Sequence, residues 1–138
     1  MSLDTAKDAI DYLVSNFYKK KELEPRDDIN GVDVTFFGGE PTLLWDSVIV
    51  PIVEYAETKY PNIVHFNITT NGTLLNNERI DYLREHCIPI LLSIDGDEYV
   101  QNFNRPQRNG EGSFDLVYRN IPKILSTFKN TTFRSTIY

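Results

Sequence analysis

Three predicted strands of this chain each end in a polar turn that contains glycine, and this repetition limits the fold more than any other feature. The turns are Gly38-Gly39-Glu40-Pro41, Thr69-Thr70-Asn71-Gly72 and Ser93-Ile94-Asp95-Gly96. Amphipathic helical patterns separate the strands, and alternating strands and helices form parallel sheets through right-handed crossovers. The three turns should therefore lie along one edge of a sheet, at the carboxyl ends of the strands. Ligands bind at that edge in barrels and in open α/β sheets.

The spacing of apolar residues predicts the element order αβαβαβαβ. The expected helices cover roughly 3–20, 43–60, 76–86 and 114–128, and the expected strands cover 32–37, 63–69, 88–94 and 131–138. Pro51 lies inside the second helical stretch and should kink it or split off its first turn. A long polar loop is expected to run to Gly112. No shift in composition indicates a second domain, so residues 1–138 are predicted to form a single α/β domain.

Composition excludes several classes of function. The net charge is −6, which disfavours nucleic-acid binding because phosphate contacts need a basic surface. No apolar run approaches the ~20 residues that cross a bilayer, and no signal peptide is visible. Cys87 is the only cysteine, so an internal disulfide is impossible, and a cytoplasmic location is expected. The pattern predicts that Cys87 is a small residue at a helix end, packed on the sheet.

Glu40 is the most informative residue of the first turn. The adjacent Gly38 and Gly39 let a ligand approach the backbone closely, and the Glu40 carboxylate would attract a cation such as an ammonium and repel a phosphate. The tetrapeptide lacks the lysine and serine of a P-loop. An alternative is purely structural: the glutamate would cap the start of the following helix. The residues alone leave both interpretations open.

The other turns allow the same two interpretations. Asp95-Gly96 and Asn71-Gly72 are common turn pairs, and Ser93 at a strand end could simply bond to its neighbours. Arg105 stands alone in a polar stretch, where a solvated charge is the usual explanation. Only their shared position at one edge of the sheet favours a site.

Several segments together resemble the radical S-adenosylmethionine (radical SAM) superfamily. Residues 36–44 (FFGGEPTLL) resemble its GGEP motif, and residues 68–75 (ITTNGTLL) resemble the next strand and turn. Residues 92–96 (LSIDG), followed by Arg105 and by 110–114 (GEGSF), are similar to a stretch of the SPASM/twitch subgroup. That subgroup contains anaerobic sulfatase-maturating enzymes and peptide maturases. The resemblance implies a partial TIM-like (βα) barrel, with about four parallel strands out of six.

The resemblance also implies cofactors and roles. The family uses a [4Fe–4S] cluster to cleave SAM reductively to a 5′-deoxyadenosyl radical, which abstracts hydrogen from the substrate. Gly38, Gly39 and Glu40 would hold the methionine ammonium, Ser93 would bond to the ribose or the methionyl group, and Arg105 would pair with the carboxylate. No catalytic or metal-binding residue is assigned in this chain.

The family's cluster motif, C-x3-C-x2-C, is absent from these 138 residues. The chain is therefore interpreted as the middle of a radical SAM oxidoreductase or maturase that acts on a peptide or protein, and it is expected to be inactive alone. One alternative is a radical SAM enzyme with a small-metabolite substrate, and another is a non-catalytic SAM- or nucleotide-binding scaffold. Exposed strand edges, above all at 131–138, are expected to make the chain self-associate.

Overall fold

The computed structural model describes residues 1–24, 30–129 and 131–136. The α-helices are α1 (Leu3–Leu23), α2 (Val50–Lys59), α3 (Asn77–Glu85), α4 (Glu98–Asn104), α5 (Phe114–Tyr118) and α6 (Ile121–Thr127). The strands are β1 (Val32–Phe36), β2 (Val64–Thr70), β3 (Ile90–Ser93) and β4 (Thr132–Arg134). A 3₁₀ helix at Pro41–Leu44 and a π-helical segment at Trp45–Ile49 precede α2.

The strands form one sheet of four in the order β1-β2-β3-β4. All four are parallel. In the registers, Ile68 pairs with Ile90 across β2 and β3, and Ser93 pairs with Arg134 across β3 and β4. Neighbours in the sheet are also neighbours in sequence order, as expected when each crossover returns the chain to the adjacent position. The predicted α/β class with parallel strands and flanking helices is confirmed.

The chain divides into two compact units. The first contains Met1–Phe36 and Leu44–Asn67, and the second contains Phe37–Leu43 and Ile68–Tyr138. This division does not test the predicted single domain, which stays a prediction.

The first unit is built on the packing of α1 against α2 and the π-helical segment. Ser2 caps α1 by accepting a hydrogen bond from the Thr5 N–H. The apolar stripe of α1 is buried, and so is the facing surface of the later helical segments: Ala6, Ile10, Val14, Trp45, Ile49, Ile52, Val53 and Ala56. Burying such side chains is worth roughly 1.5–3 kcal/mol each for the larger ones, which is the main stabilisation of this unit.

The second unit contains the carboxyl ends of β2 and β3 and the helices that follow them. Its core consists of buried aliphatic residues from several elements: Ile68, Leu75, Ile80, Leu83, Ile88, Ile90, Leu92, Val117 and Ile124. At the tip of the second turn, Gly72 has φ +74, and a Cβ there would lie 2.5 Å from Leu92 Cδ1. Glycine is therefore required at this turn for both conformation and space.

Two departures from the predicted helices have clear physical causes. The stretch expected as one helix from 43 to 60 begins with a 3₁₀ and a π-helical segment, and Pro51 lies in the first turn of α2. That position costs no hydrogen bond, so the predicted split is confirmed. The helix expected over 114–128 is wrong as a single element, because Pro122 likewise stands in the first turn of a separate helix, α6.

The long loop predicted to run to Gly112 is also wrong in part, because α4 occupies Glu98–Asn104 within it. Asp97 caps this helix by accepting a hydrogen bond from the Val100 N–H at 3.0 Å. The apolar residues of α4, Tyr99, Val100 and Phe103, stand at helical spacing, but the helix has only seven residues, and so short a pattern is a weak helix signal.

Cys87 corrects another expectation, since it is exposed rather than packed on the sheet. It follows α3 with φ 54, a left-handed conformation. The N–H of Cys87 bonds to Arg84 O, and the N–H of Ile88 bonds to Leu83 O, which together form a Schellman motif.

The last predicted strand is shorter than expected, with β4 limited to Thr132–Arg134. Ile137 and Tyr138, the end of the strand predicted at 131–138, lie outside the described residues. Within the described residues, no helix combines the length and apolarity needed to cross a membrane.

Candidate functional site

The carboxylate of Glu40 ties the turn after β1 to the end of β2. Its Oε1 accepts hydrogen bonds from the Thr42 N–H at 3.0 Å and from the Thr70 hydroxyl at 2.7 Å, and the Thr42 hydroxyl donates to the same atom. Its Oε2 accepts the Asn71 N–H at 2.8 Å. Hydrogen bonds to a charged acceptor are roughly twice as strong as neutral ones, so this arrangement fixes the orientation of Glu40.

Both interpretations of Glu40 from the sequence gain support from this geometry. The bond from the Thr42 N–H caps the start of the 3₁₀ helix, as the structural interpretation expects. Each carboxylate oxygen has two lone pairs; among the described residues, three donors share those of Oε1, and one donor uses one of the two on Oε2. One site on Oε2 is left to accept a donor from a ligand, so a structural clamp and a ligand contact are compatible.

The space beside the first turn is open. A Cβ built on Gly38 or on Gly39 would meet no other atom within 4 Å. Gly38 has φ +146, a conformation that L side chains rarely adopt. The backbone here is therefore accessible to a ligand.

Arg105 and Asp95 form the second charged feature of the site. Arg105 Nε donates to Asp95 Oδ2 at 2.8 Å, and Nη2 donates to Oδ1 at 3.2 Å. Arg105 is the C-cap residue of α4, and its N–H bonds to Gln101 O. The Thr136 N–H also donates to Asp95 Oδ1, at 2.8 Å. Sequence reasoning treated Arg105 as a lone charge, because the helix that brings it back to Asp95 was not predicted.

Opposing effects set the pKa of Asp95. Burial by itself would raise the pKa, but the hydrogen bonds from Arg105 and from the Thr136 N–H and the charge of Arg105 outweigh it. The pKa of Asp95 is therefore held below its ordinary value of 3.8. Asp95 is an anion at neutral pH, which keeps the pair with Arg105 intact.

A cavity of about 420 Å³ joins these features within the second unit. This volume lies in the range of about 300–1,000 Å³ that is usual for small-molecule sites. Acidic and basic groups both line the cavity, together with amides, hydroxyls and leucines: Glu40, Asn71, Thr73, Gln101, Arg105, Arg108, Ser113, Leu43 and Leu74. A negative carboxylate and positive guanidinium groups therefore border the same space.

The structure brings some of the predicted site residues together. Gly39, Glu40 and Arg105 line this cavity, and Gly38 lies next to Gly39 in the open turn. Ser93 ends β3 with 8% of its surface exposed and is not among the lining residues. Gln101 and Arg108 line the cavity but were not predicted, and the only signal in the sequence was their closeness to Arg105.

The residues of the cavity fit one of the two implied cofactors. An acidic side chain and an arginine on one small cavity suit a zwitterion with an ammonium and a carboxylate, as in the methionyl group of SAM. A [4Fe–4S] cluster requires three or four thiolates, and Cys87 is the only cysteine of the chain. Among the residues that the structure describes, no cluster of potential ligands could hold a metal ion. The chain therefore does not fit the cluster.

Relatives of known sequence share much of this chain. An uncharacterized protein of Methanocaldococcus jannaschii is 36% identical over 136 residues, which is 92% of this chain and 43% of that protein. A cysteine-type anaerobic sulfatase-maturating enzyme of Clostridium novyi is 33% identical over 97 residues, or 68% of this chain and 25% of the enzyme. The chain thus spans less than half the length of these relatives.

Solved structures show the same fold. Native anSMEcpe with bound AdoMet superimposes with a TM-score of 0.64 at 25% identity, over 91% of this chain and 34% of that one. The complex of native anSMEcpe with AdoMet and the Cp18Cys peptide gives a TM-score of 0.65 over 80% of this chain and 34% of that one. The family model of the radical SAM superfamily matches residues 20–138. Since this match covers most of the chain, the protein belongs to the radical SAM superfamily.

Proposed function

We propose that the cavity binds the methionyl group of SAM and that the chain is the SAM-binding part of a radical SAM enzyme that acts on a peptide or protein. One observation carries the proposal: Glu40 and Arg105 line the same cavity, with opposite charges. The open backbone at Gly38 and Gly39 lies beside Glu40, so that an ammonium could contact both. Superposition on structures with bound AdoMet supports the same assignment.

A [4Fe–4S] cluster held by cysteines outside this chain would supply, with SAM, the radical chemistry of the proposed enzyme. The residues of this chain bind and orient the SAM. Glu40, held by Thr70 and Asn71, presents a fixed negative charge to the ammonium. Arg105 presents its guanidinium to the carboxylate. Ser93 is kept as a proposed contact to the ribose or the methionyl group, although it lies outside the cavity lining.

A peptide or protein substrate is favoured over a small metabolite by the relatives. Anaerobic sulfatase-maturating enzymes recur among the similar sequences, and two similar structures hold both AdoMet and a peptide. The proposal includes cluster cysteines supplied from outside this chain and a reducing, cytoplasmic compartment, with which the single thiol is compatible.

SAM affinity tests the assignment directly. The ¹⁵N-labelled chain is titrated with SAM up to millimolar concentration, and the dissociation constant is read from amide shifts of Asn71 and Thr42. Glu40→Gln and Arg105→Ala should each weaken binding about tenfold or more, because each removes a charge-assisted contact worth roughly 1.5–3 kcal/mol.

Arg119→Ala is the matched control, since Arg119 is exposed and does not line the cavity. Its SAM affinity should equal that of the unmodified chain. If Glu40→Gln and Arg105→Ala also keep full affinity while their folds are intact, the residues of the turns are structural and the proposed site is wrong.

A further inference from the structure

We propose that Asp95 and Gln101 are positioning residues that hold the Arg105 guanidinium with one edge directed into the cavity, so that the site selects a ligand bearing a carboxylate. This inference rests on the proposed function, because it concerns the same cavity and the same ligand. It adds a physical cause for the selection of a carboxylate ligand, namely the contacts of Asp95 and Gln101, to which the proposed function gives no role. Asp95 does not line the cavity, so it acts through Arg105.

Differences in exposure separate the two partners of the ion pair. The Asp95 side chain is 2% exposed, whereas the Arg105 side chain is 29% exposed. The carboxylate is thus enclosed and unable to meet a ligand, while the guanidinium is open on one side. Because Asp95 is buried and Arg105 is partly exposed, the ion pair fixes the direction in which the Arg105 guanidinium points.

The pairing geometry leaves the Nη1 donors of the Arg105 guanidinium for a ligand. The Asp95 carboxylate accepts hydrogen bonds from Nε and Nη2 of Arg105, at 2.8 and 3.2 Å. Nη2 also lies 3.4 Å from the Thr136 hydroxyl. Among the described residues, Nη1 has no hydrogen-bond partner. A guanidinium carries five N–H donors in a rigid plane, so fixing Nε and Nη2 also fixes the direction of the Nη1 donors, which can bind a second carboxylate.

The buried Gln101 holds the Asp95–Arg105 pair in place from the interior of the second unit. Its side chain is 0% exposed, and its Oε1 accepts the Asp95 N–H at 2.8 Å. Its Nε2 donates to the Ser113 hydroxyl at 2.9 Å. Its backbone carbonyl accepts the Arg105 N–H at 2.9 Å. The buried Gln101 side chain therefore joins the Asp95 turn to Ser113 in the cavity lining, and the Gln101 carbonyl bonds to Arg105 at the end of α4.

This placement distinguishes a positioning device from an ordinary ion pair. Exposed pairs contribute little to stability, and a buried acid needs its partners merely to offset desolvation. Here Asp95 is held from two segments: α4 with its C-cap provides Gln101, which accepts the Asp95 N–H, and the donor Arg105, and the second segment provides the Thr136 N–H. An arginine held in this way loses little further side-chain entropy when it binds a carboxylate, and this low entropic cost favours a ligand that bears one.

Two probes that differ only in the carboxylate test the inference. Dissociation constants of SAM and of decarboxylated SAM are measured by ¹⁵N NMR titration for the unmodified chain, Asp95→Asn, Arg105→Ala and the control Asp97→Asn. The unmodified chain should bind SAM about tenfold more tightly than the decarboxylated probe. Asp95→Asn should lose most of this preference and leave the affinity for decarboxylated SAM within about twofold. Asp97→Asn removes the same charge from an exposed residue outside this cavity, and it should keep the preference.

The outcomes separate the inference from the proposed function. If the unmodified chain has a preference that Arg105→Ala removes but Asp95→Asn keeps, only the inference is overturned. If Asp95→Asn weakens both probes equally, Asp95 is merely structural and the inference is again overturned. If the unmodified chain shows no preference, or no SAM binding, the proposed function and the inference fail together.

A second variant covers the case in which Asp95→Asn does not fold. Arg105→Lys keeps the charge but lacks a planar guanidinium that can bind Asp95 and a ligand carboxylate together, so the preference for SAM over decarboxylated SAM should fall at least about threefold. Full retention of the preference in Arg105→Lys would show that an oriented guanidinium is not needed, and this would overturn the inference.

Discussion

Thr70 donates its hydroxyl hydrogen to Oε1 of Glu40 at 2.7 Å, although 30 positions separate the two residues. The same hydroxyl oxygen accepts the Gly72 N–H at 3.0 Å. Thr70 is 1% exposed; its bond with the Gly72 N–H is buried, and its bond to Glu40 is partly buried. One buried hydroxyl thus orders the second turn and holds the acid of the first turn, which couples the stability of the fold to the geometry of the cavity.

Replacing Thr70 by valine should therefore cost about 1.5–3 kcal/mol of unfolding free energy, because a buried N–H and a charged acceptor each lose a partner. Urea denaturation followed by circular dichroism measures the loss. Thr70→Ser is the matched variant, since it keeps the hydroxyl and should lose less than half as much. Equal losses in the two variants would mean that the methyl group, and not the hydroxyl, matters at this position.

Cys87 offers a prediction of increased stability. It has φ 54 at the left-handed position of the Schellman motif after α3, where glycine is usual. A non-glycine residue in this conformation is strained by roughly 1–2 kcal/mol, partly offset by the greater freedom of glycine in the unfolded chain. Cys87→Gly should thus stabilise the protein by about 0.5–1 kcal/mol. Cys87→Ala retains a Cβ and serves as the control; a gain of the same size in alanine would contradict the strain argument. Urea unfolding under reducing conditions measures both.

Asp11 should make the stability of the first unit depend on acid pH. Hydrogen bonds from Lys59, Tyr55 and Tyr60 lower the pKa of Asp11 from 3.8 to about 2, although burial acts in the opposite direction. The folded pKa lies below the unfolded one, so the contribution is complete above pH 3.8 and is lost as the pH falls toward 2. In Asp11→Asn, the difference in unfolding free energy between pH 6 and pH 2.5 should be smaller.

Asp8→Asn is the control for this experiment, because Asp8 is an exposed acid on the same helix. Its pH dependence should match that of the unmodified chain. Since Asp11 is about one-third exposed, a modest effect is expected. Identical pH profiles for the Asp11 and Asp8 variants would show that the cluster of Asp11 with Lys59 and the tyrosines does not stabilise the fold.

The parts of the site that sequence could predict are those set by local rules. A strand that ends in Gly38-Gly39 or Asn71-Gly72 specifies a turn, and parallel pairing then brings such turns to one edge. The bonds from Thr70 and Asn71 to Glu40 confirm that the first two turns meet. Their exact partners could not be predicted, because a hydrogen bond across 30 positions depends on register and side-chain orientation.

The third turn shows where sequence reasoning failed. Gln101 lies in a seven-residue helix whose apolar residues, Tyr99, Val100 and Phe103, form too short a pattern to distinguish a helix from a loop. Without α4, nothing indicated that Arg105 would return to Asp95 or that Gln101 would be buried. A buried glutamine among charged residues is a tertiary property, since only the surrounding partners offset its desolvation.

The edge at β4 should make the chain self-associate. β4 is the last strand in the order of the sheet, all three of its residues are exposed, and Phe133 is 44% exposed. Unpaired backbone groups on an edge strand recruit another chain. Sedimentation over a concentration series should show oligomers, and removal of residues 131–138 should abolish them. Phe133→Lys is a milder variant that should weaken association. A monomer at all concentrations, or oligomers unchanged by the truncation, would contradict this prediction.

The chain should be unable to cleave SAM by itself, even though its cavity suits the methionyl group. A [4Fe–4S] cluster needs at least three thiolates, and the only cysteine of the chain, Cys87, is exposed just after the C-terminus of α3. Without a cluster, no electron reaches the sulfonium. After incubation with iron, sulfide, dithionite and SAM, 5′-deoxyadenosine should stay at the level of a protein-free blank, and Cys87→Ala should give the same value. A longer protein that combines this chain with a C-x3-C-x2-C segment is the positive control and should form the product. Formation above the blank by the chain alone would show that the chain can hold a redox centre without these cysteines, and the division of roles proposed for this superfamily member would be wrong.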